Sequence, residues 1–187
     1  MPREAHDCAK CGPNVKLNQS NAQRVLEHMG AHILHDTTLN HSHEVCGLCL
    51  RPSPMCRLLV KKGRSASVGN RVDIDNSTCV NLIRFNYTSA ACSSESSPCS
   101  NVPIVCPLCP PKSPGIWTYS LHAHFRDRHK LVSHTQYPMT IHLSQSEKDG
   151  MKRIWDARFN VPQPRNLKKK KAVLVLSEAH TSQSALQ

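Results

Sequence analysis

CAKCGPNVKLNQSNAQRVLEHMGAHILH, residues 8–35, is the stretch that decides how this chain folds. It opens on a Cys-x-x-Cys pair, Cys8 and Cys11, turns at Gly12-Pro13, and runs on to His28 and His32. Two thiolates and two imidazoles make a closed tetrahedral shell, which is what a structural Zn²⁺ requires. Sixteen residues separate Cys11 from His28, a little more than the dozen or so usual in this finger type. Val25, Leu26, Met29 and Ile33 recur at helical spacing, so the histidines lie four apart on one helix face. Ser20 with Gln23 fits a capping box at the start of that helix. His35 is a reserve ligand.

The same logic returns in CPLCPPKSPGIWTYSLHAHFRDRH, residues 106–129. Cys106 and Cys109 form the pair, prolines keep the next stretch out of a helix, and His124 and His129 follow. Leu121 takes the apolar position three residues before the first histidine, and His122 points away from His124. Both quartets, Cys8/Cys11/His28/His32 and Cys106/Cys109/His124/His129, therefore read as zinc sites.

Between them lies a stretch of another texture. Residues 44–105 open with a third knuckle, Cys46 and Cys49, where Gly47 permits a tight turn. CRLLVKK and CVNLIRFNY read as strands, with the polar GRSASVGNRVDIDNS as a long loop between them. A third metal would draw its remaining ligands from Cys56, Cys79, Cys92, Cys99, His41 or His43. Cys79 and Cys99, each at the edge of a strand-like run, are the preferred partners of Cys46 and Cys49. Cys56, inside an apolar run, reads as a small core residue, and Cys92 as free.

Composition agrees with a metal-stapled chain. Only 4% of the 187 residues are aromatic, too few to fill one large core without a staple. The start, MPREAHDCAK, lacks the apolar run of a secretory signal, and no apolar stretch is long enough to cross a bilayer; the longest spans Ala172 to Leu176. In a reducing compartment, ten cysteines are better used on metal than in disulfides. The sequons at Asn40, Asn76 and Asn86 are then chance matches.

After the second finger, Ser144 with Glu147 fits a capping box, and Met151, Ile154, Trp155 and Arg158 form one stripe of a helix over about 145–159. Gly150 weakens that helix by about 1 kcal/mol relative to Ala. Trp155 is expected to pack on the preceding finger. The lysine run Lys168–Lys171, with Arg165 before it, ends the chain in a disordered basic tail and matches a short nuclear-localisation patch. The expected fold is thus α+β: a first finger over 1–36, a Cys-rich β unit over 44–105, a second finger over 106–130, a helix over 144–160 and a tail over 161–187.

A formal charge of +11 favours polyanionic partners, DNA or RNA. A DNA-reading finger sets helix positions −1, 3 and 6 against successive bases. In the first finger these are Asn21, Arg24 and Glu27, suited to adenine, guanine and cytosine. In the last they are Trp117, Ser120 and Ala123, which read bases poorly. About seventy residues part the two fingers, so they cannot tile one groove as a tandem array. Contact with phosphates through Arg126, Arg128, Lys130, Lys152, Arg153 and the lysine run is the stronger expectation. A protein-interaction scaffold braced by its fingers is the alternative.

Nothing in the chain fits catalytic zinc, which keeps one position open beside a general base. No His-Glu-x-x-His occurs, and Glu44 directly follows His43, which breaks the deaminase spacing. A phosphate-binding Gly-rich loop and a nucleophile elbow are also missing, so a non-enzymatic role is expected.

The blocks VCGLCLRPSPMC, SPCSNVPIVCPLCP, WTYSLHAHFRDRH and SEAHTSQSALQ resemble a multicopy group of uncharacterised zinc-finger proteins of mushroom-forming fungi. The resemblance runs from Cys8 over most of the chain. It implies ligand roles for Cys106, Cys109, His124 and His129, and by the same pattern for Cys8, Cys11, His28 and His32. The tail differs from the group's, with Gln183 and Gln187 where an Arg-containing motif is typical.

Overall fold

A computed structural model describes residues 6–63, 69–130 and 143–160. The elements are β1 (His6–Cys8), β2 (Gly12–Leu17), α1 (Ala22–His35), β3 (Val60–Lys61), β4 (Arg71–Val72), α2 (Tyr87–Ala90), β5 (Pro103–Ile104), β6 (Ile116–Trp117), α3 (Leu121–Arg128) and α4 (Gln145–Asp156). Among the described residues they form a small α+β fold with three two-stranded antiparallel sheets, β1-β2, β3-β4 and β5-β6. The expected tail, with Arg165 and Lys168–Lys171, lies outside the described residues.

Each Cys-x-x-Cys pair sits in a hairpin or a hairpin-like turn. In the first, Cys8 pairs with Gly12 across a bulge, and Gly12 takes φ of 75°, a left-handed conformation glycine adopts without cost to a side chain. In the middle one, Val45 bridges Pro52, and the Cys46 N–H donates to the Arg51 carbonyl at 2.9 Å. There the left-handed residue is Leu50, at φ of 59°, not Gly47. Gly47 serves a different need: a Cβ on it would meet the Trp117 ring at 2.4 Å, so the indole packs directly on the knuckle backbone. In the last, β5 and β6 close the loop, with Lys112 at φ of 68°.

Of the two strands expected in the middle region, CRLLVKK supplies β3 and CVNLIRFNY supplies none. CVNLIRFNY forms turns that lead into α2, while β4 comes from within GRSASVGNRVDIDNS. Ile83 of CVNLIRFNY is nonetheless fully buried. A single apolar run cannot distinguish a strand from a buried turn segment.

Helix α1 is capped by Asn21, one residue after the expected Ser20; its side chain accepts from the Arg24 N–H at 3.3 Å. The α1 stripe of Val25, Leu26, Met29 and Ile33 is buried. One core runs from Val15 and Leu17 through this stripe to Leu48, Leu58 and Ile83 in the middle region, then to Trp117 and Met151. The stretch 104–125 adds a smaller cluster of Cys106, Leu121 and Phe125.

Helix α4 starts at Ser144, whose hydroxyl accepts from the Glu147 N–H at 3.1 Å, as expected of a capping residue. The Glu147 carboxylate does not reach back to close the box. It is buried and accepts from the Ser100 N–H at 3.0 Å, the Ser100 hydroxyl at 2.6 Å and the Tyr119 hydroxyl. Trp155 does not pack on residues 106–130 as expected. The helix lies mainly on α1: Met151 reaches the surface of Gly30, and the Trp155 ring sits edge-on to His32 with centroids 5.1 Å apart. The Arg158 guanidinium lies 3.6 Å above the Trp155 ring centroid.

Candidate metal centres

Among the described residues, three clusters of four side chains bring their donor atoms within 4.8 Å of one another. A tetrahedral site with Zn–S of about 2.3 Å and Zn–N of about 2.0 Å has S···N edges of about 3.5 Å, N···N of about 3.3 Å and S···S of about 3.8 Å. The observed separations can be compared with those edges.

In the first centre, Cys8 and Cys11 from the β1-β2 turn face His28 and His32 from one side of α1. Cys8 Sγ lies 3.4 Å from His32 Nε2, and Cys11 Sγ lies 3.2 Å from His32 Nε2 and 3.7 Å from His28 Nε2. In the last centre, Cys106 and Cys109 face His124 and His129. The S···N separations there are 3.3–3.5 Å, and the two Nε2 atoms stand 3.2 Å apart. Both quartets converge as their spacing predicts. His35 lies outside the first cluster, its Nε2 buried without a hydrogen-bond partner.

The middle centre corrects the sequence reading. Its members are Cys46, Cys49, Cys56 and Cys79; Cys99 is not among them. An antiparallel bridge between Arg57 and Thr78, with N···O distances of 3.1 and 2.7 Å, sets the neighbouring Cys56 and Cys79 opposite each other. Both then face the knuckle: Cys49 to Cys56 is 3.3 Å and Cys46 to Cys79 is 3.7 Å. Cys99 does the packing work expected of Cys56. It is buried against Gly30 of α1, and its thiol donates to the Leu26 carbonyl at 3.4 Å. Cys92 is exposed.

Two carboxylates stand behind histidines of these clusters, and neither was foreseen in that role. Asp36 accepts from His32 Nδ1 at 2.7 Å, and Glu44 accepts from His124 Nδ1 at 2.7 Å. Each fixes its ring so that Nε2 points at the sulfurs, the outer-shell arrangement of metal-bound histidine. Asp36 has a signal in the sequence, since it follows His32 by one helical turn. Glu44 lies eighty positions before His124, and nothing local marks it.

Proton affinities in the metal-free chain follow from the crowding. Burial raises the Cys8 thiol, but hydrogen bonds from His28 and His32 outweigh it and bring it down to about 5. Burial and the adjacent Cys8 push Cys11 up to about 12. In the middle centre, hydrogen bonds from Cys46 and Cys79 pull Cys49 far below the ordinary thiol value, and the same Cys49 contact drives Cys46 far above it. Four thiols this close cannot all ionise unless a cation neutralises them. The donor set is soft and closed, which suits zinc among the common divalent ions.

The candidate nucleic-acid residues fare differently. Asn21 is used as the helix cap. Glu27 is 2% exposed and accepts from the Ser97 hydroxyl at 3.0 Å and from Arg24 at 3.3 Å, so it cannot face a base. Of that trio Asn21 and Arg24 are exposed and Glu27 is buried. Trp117, Ser120 and Ala123 are all buried. Arg126, Arg128 and Lys130 are exposed, although Arg126 also donates to the Ser42 carbonyl at 2.6 Å and the His41 carbonyl at 3.3 Å. Among the described residues, no helix is long and apolar enough to cross a membrane.

Compared with known proteins, the chain matches no protein-family model, no curated protein and no solved structure.

Proposed function

We propose that each centre holds one structural zinc ion and that the chain is a non-enzymatic, zinc-stabilised protein that associates with nucleic acid through phosphate contacts. The observation that carries the zinc reading is the convergence of three donor clusters, with the S···N and N···N separations of the two mixed quartets close to tetrahedral edges and a carboxylate fixing a histidine in each of those two. Four protein donors per centre leave no position for a reacting water, which supports a structural role. The nucleic-acid reading rests on the formal charge of +11 and on exposed cations such as Arg128 and Lys130. Import into the nucleus through Arg165 and Lys168–Lys171 belongs to the same proposal, as does membership of the fungal group.

The burial of Glu27 and the capping role of Asn21 favour phosphate contact over base reading. They equally suit the second reading, a protein-interaction scaffold whose metal centres only brace it. A salt titration of binding to single-stranded and duplex DNA separates the two. Affinity that falls steeply with added salt supports phosphate contact, and no binding at low salt leaves the scaffold.

A further inference from the structure

Between the middle and last metal centres the surface folds into a cleft of about 520 Å³, part of which belongs to the centres themselves, since Cys46, Cys56, Cys109, His124 and His129 are among its lining residues. Its walls are largely apolar, with Pro54, Leu58, Pro114, Ile116 and Trp117 among them. Three arginines line it: Arg51, Arg57 and Arg128. All three are exposed, and none forms an ion pair with another described residue. The cleft has one carboxylate, Glu44, and that group is bound to His124.

The arginines are placed by the metal centres. Arg57 follows Cys56, Arg128 precedes His129, and the Arg51 carbonyl holds the Cys46 N–H of the knuckle. With a dication bound, the four-thiolate centre carries two net negative charges, on sulfurs that are buried or partly buried. Arg51, Arg57 and Arg128 are exposed and line the cleft beside it. An occupant that suits this surface has a flat apolar part for the walls and a single negative charge for the arginines. Guanidinium forks pair with phosphate in bidentate geometry and also stack on planar rings.

We propose that this cleft takes one or two unpaired nucleotides of a single strand, with the base against the apolar wall and the phosphodiester on Arg51, Arg57 and Arg128. The inference rests on the nucleic-acid reading above and narrows it to a place and a substrate form. A base stacked and paired in a duplex cannot enter a cleft of this kind, so single strands are preferred to duplex.

The test uses the full zinc-loaded chain and labelled strands of about ten nucleotides, single or annealed, read by fluorescence anisotropy. Arg51→Gln/Arg57→Gln/Arg128→Gln is compared with Lys16→Gln/Arg84→Gln/Lys148→Gln. The second set removes the same charge from exposed positions that do not line the cleft. The first set is expected to weaken single-strand binding about tenfold or more, and the second by less than about threefold. Equal losses in both sets, duplex bound as tightly as single strand, or full displacement by an acidic peptide each overturn the proposal. Native mass spectrometry confirms the zinc content of each variant. Ultraviolet crosslinking of a 4-thiouridine strand to the unaltered chain gives a readout that needs no variant: crosslinks should fall in 51–58 or 110–117, and crosslinks confined elsewhere refute the site. If the unaltered chain binds no nucleic acid, the broader reading fails too; if it binds but ignores the first set, only the cleft fails.

Discussion

Removing the Glu44 carboxylate should loosen one metal centre and spare another. Glu44 accepts from His124 Nδ1 at 2.7 Å, with its side chain 11% exposed and that of His124 3% exposed, so solvent screens the contact poorly. Loss of such an outer-shell partner typically costs 10- to 100-fold in metal affinity. Glu44→Gln keeps an acceptor oxygen and loses only the charge, so it belongs at the lower end, about tenfold or 1.4 kcal/mol. Glu44→Ala leaves a buried N–H without a partner and belongs at the upper end, about 100-fold or 2.7 kcal/mol. The assay is challenge with graded chelator followed by cysteine alkylation and peptide mass mapping, which reports each centre separately. Cys106 and Cys109 should become reactive at lower chelator in the order Ala, Gln, unaltered chain, while Cys8 and Cys11 hold their protection. Unchanged protection of Cys106 and Cys109 in Glu44→Ala, or an equal loss at Cys8 and Cys11, refutes the reasoning.

Four further outcomes are expected. Cys56→Ser should lower the zinc count by one per chain in native mass spectrometry, while Cys99→Ser keeps the full count; the reverse pattern would restore the ligand set read from sequence. Gly150→Ala gains about 1 kcal/mol of helix propensity, but its Cβ would meet the Pro98 ring at 2.4 Å, so overpacking of about 1–3 kcal/mol should win and lower the urea midpoint; a raised midpoint contradicts this packing of α4. Exhaustive chelation should abolish most of the helical circular dichroism, because metal binding and folding are coupled, and an unchanged spectrum sinks that view. Burial raises the Asp36 carboxyl, but hydrogen bonds from Thr38 and His32 outweigh it, so it titrates below its ordinary 3.8. Its contribution is therefore complete above 3.8 and lost as pH falls through the folded value. The stability gap between the unaltered chain and Asp36→Asn should be constant from neutral pH down to about 5 and close below 3.8; a gap that closes nearer neutrality is inconsistent with a depressed carboxyl.

The two mixed quartets were legible because their chemistry is carried by spacing: a pair two apart in a turn, and histidines placed to share a helix face. The four-cysteine centre was only half legible. Its knuckle is local, but Cys56 and Cys79 meet through a bridge between Arg57 and Thr78, and no local pattern encodes that pairing. Hydrophobicity around Cys56 suggested a core residue, whereas the core cysteine is Cys99, whose neighbours are serines and prolines. Capping chemistry placed the start of α4 and missed that of α1 by one residue, since Ser20 and Asn21 are both good caps. The burial of Glu27 depends on Ser97, seventy positions on, and the base-reading register could not register it.

The seating of α4 on α1 has a consequence for how the chain is made. Met151 and Trp155 are synthesised more than a hundred residues after Cys8, at about 5–20 residues per second. The first cysteine pair and its histidines leave the ribosome early and can gather an ion at once, yet the indole that closes over His32 arrives roughly ten seconds later. For that interval the N-terminal hairpin and helix stand with one flank bare, and a chain cut short before residue 151 would never cover it.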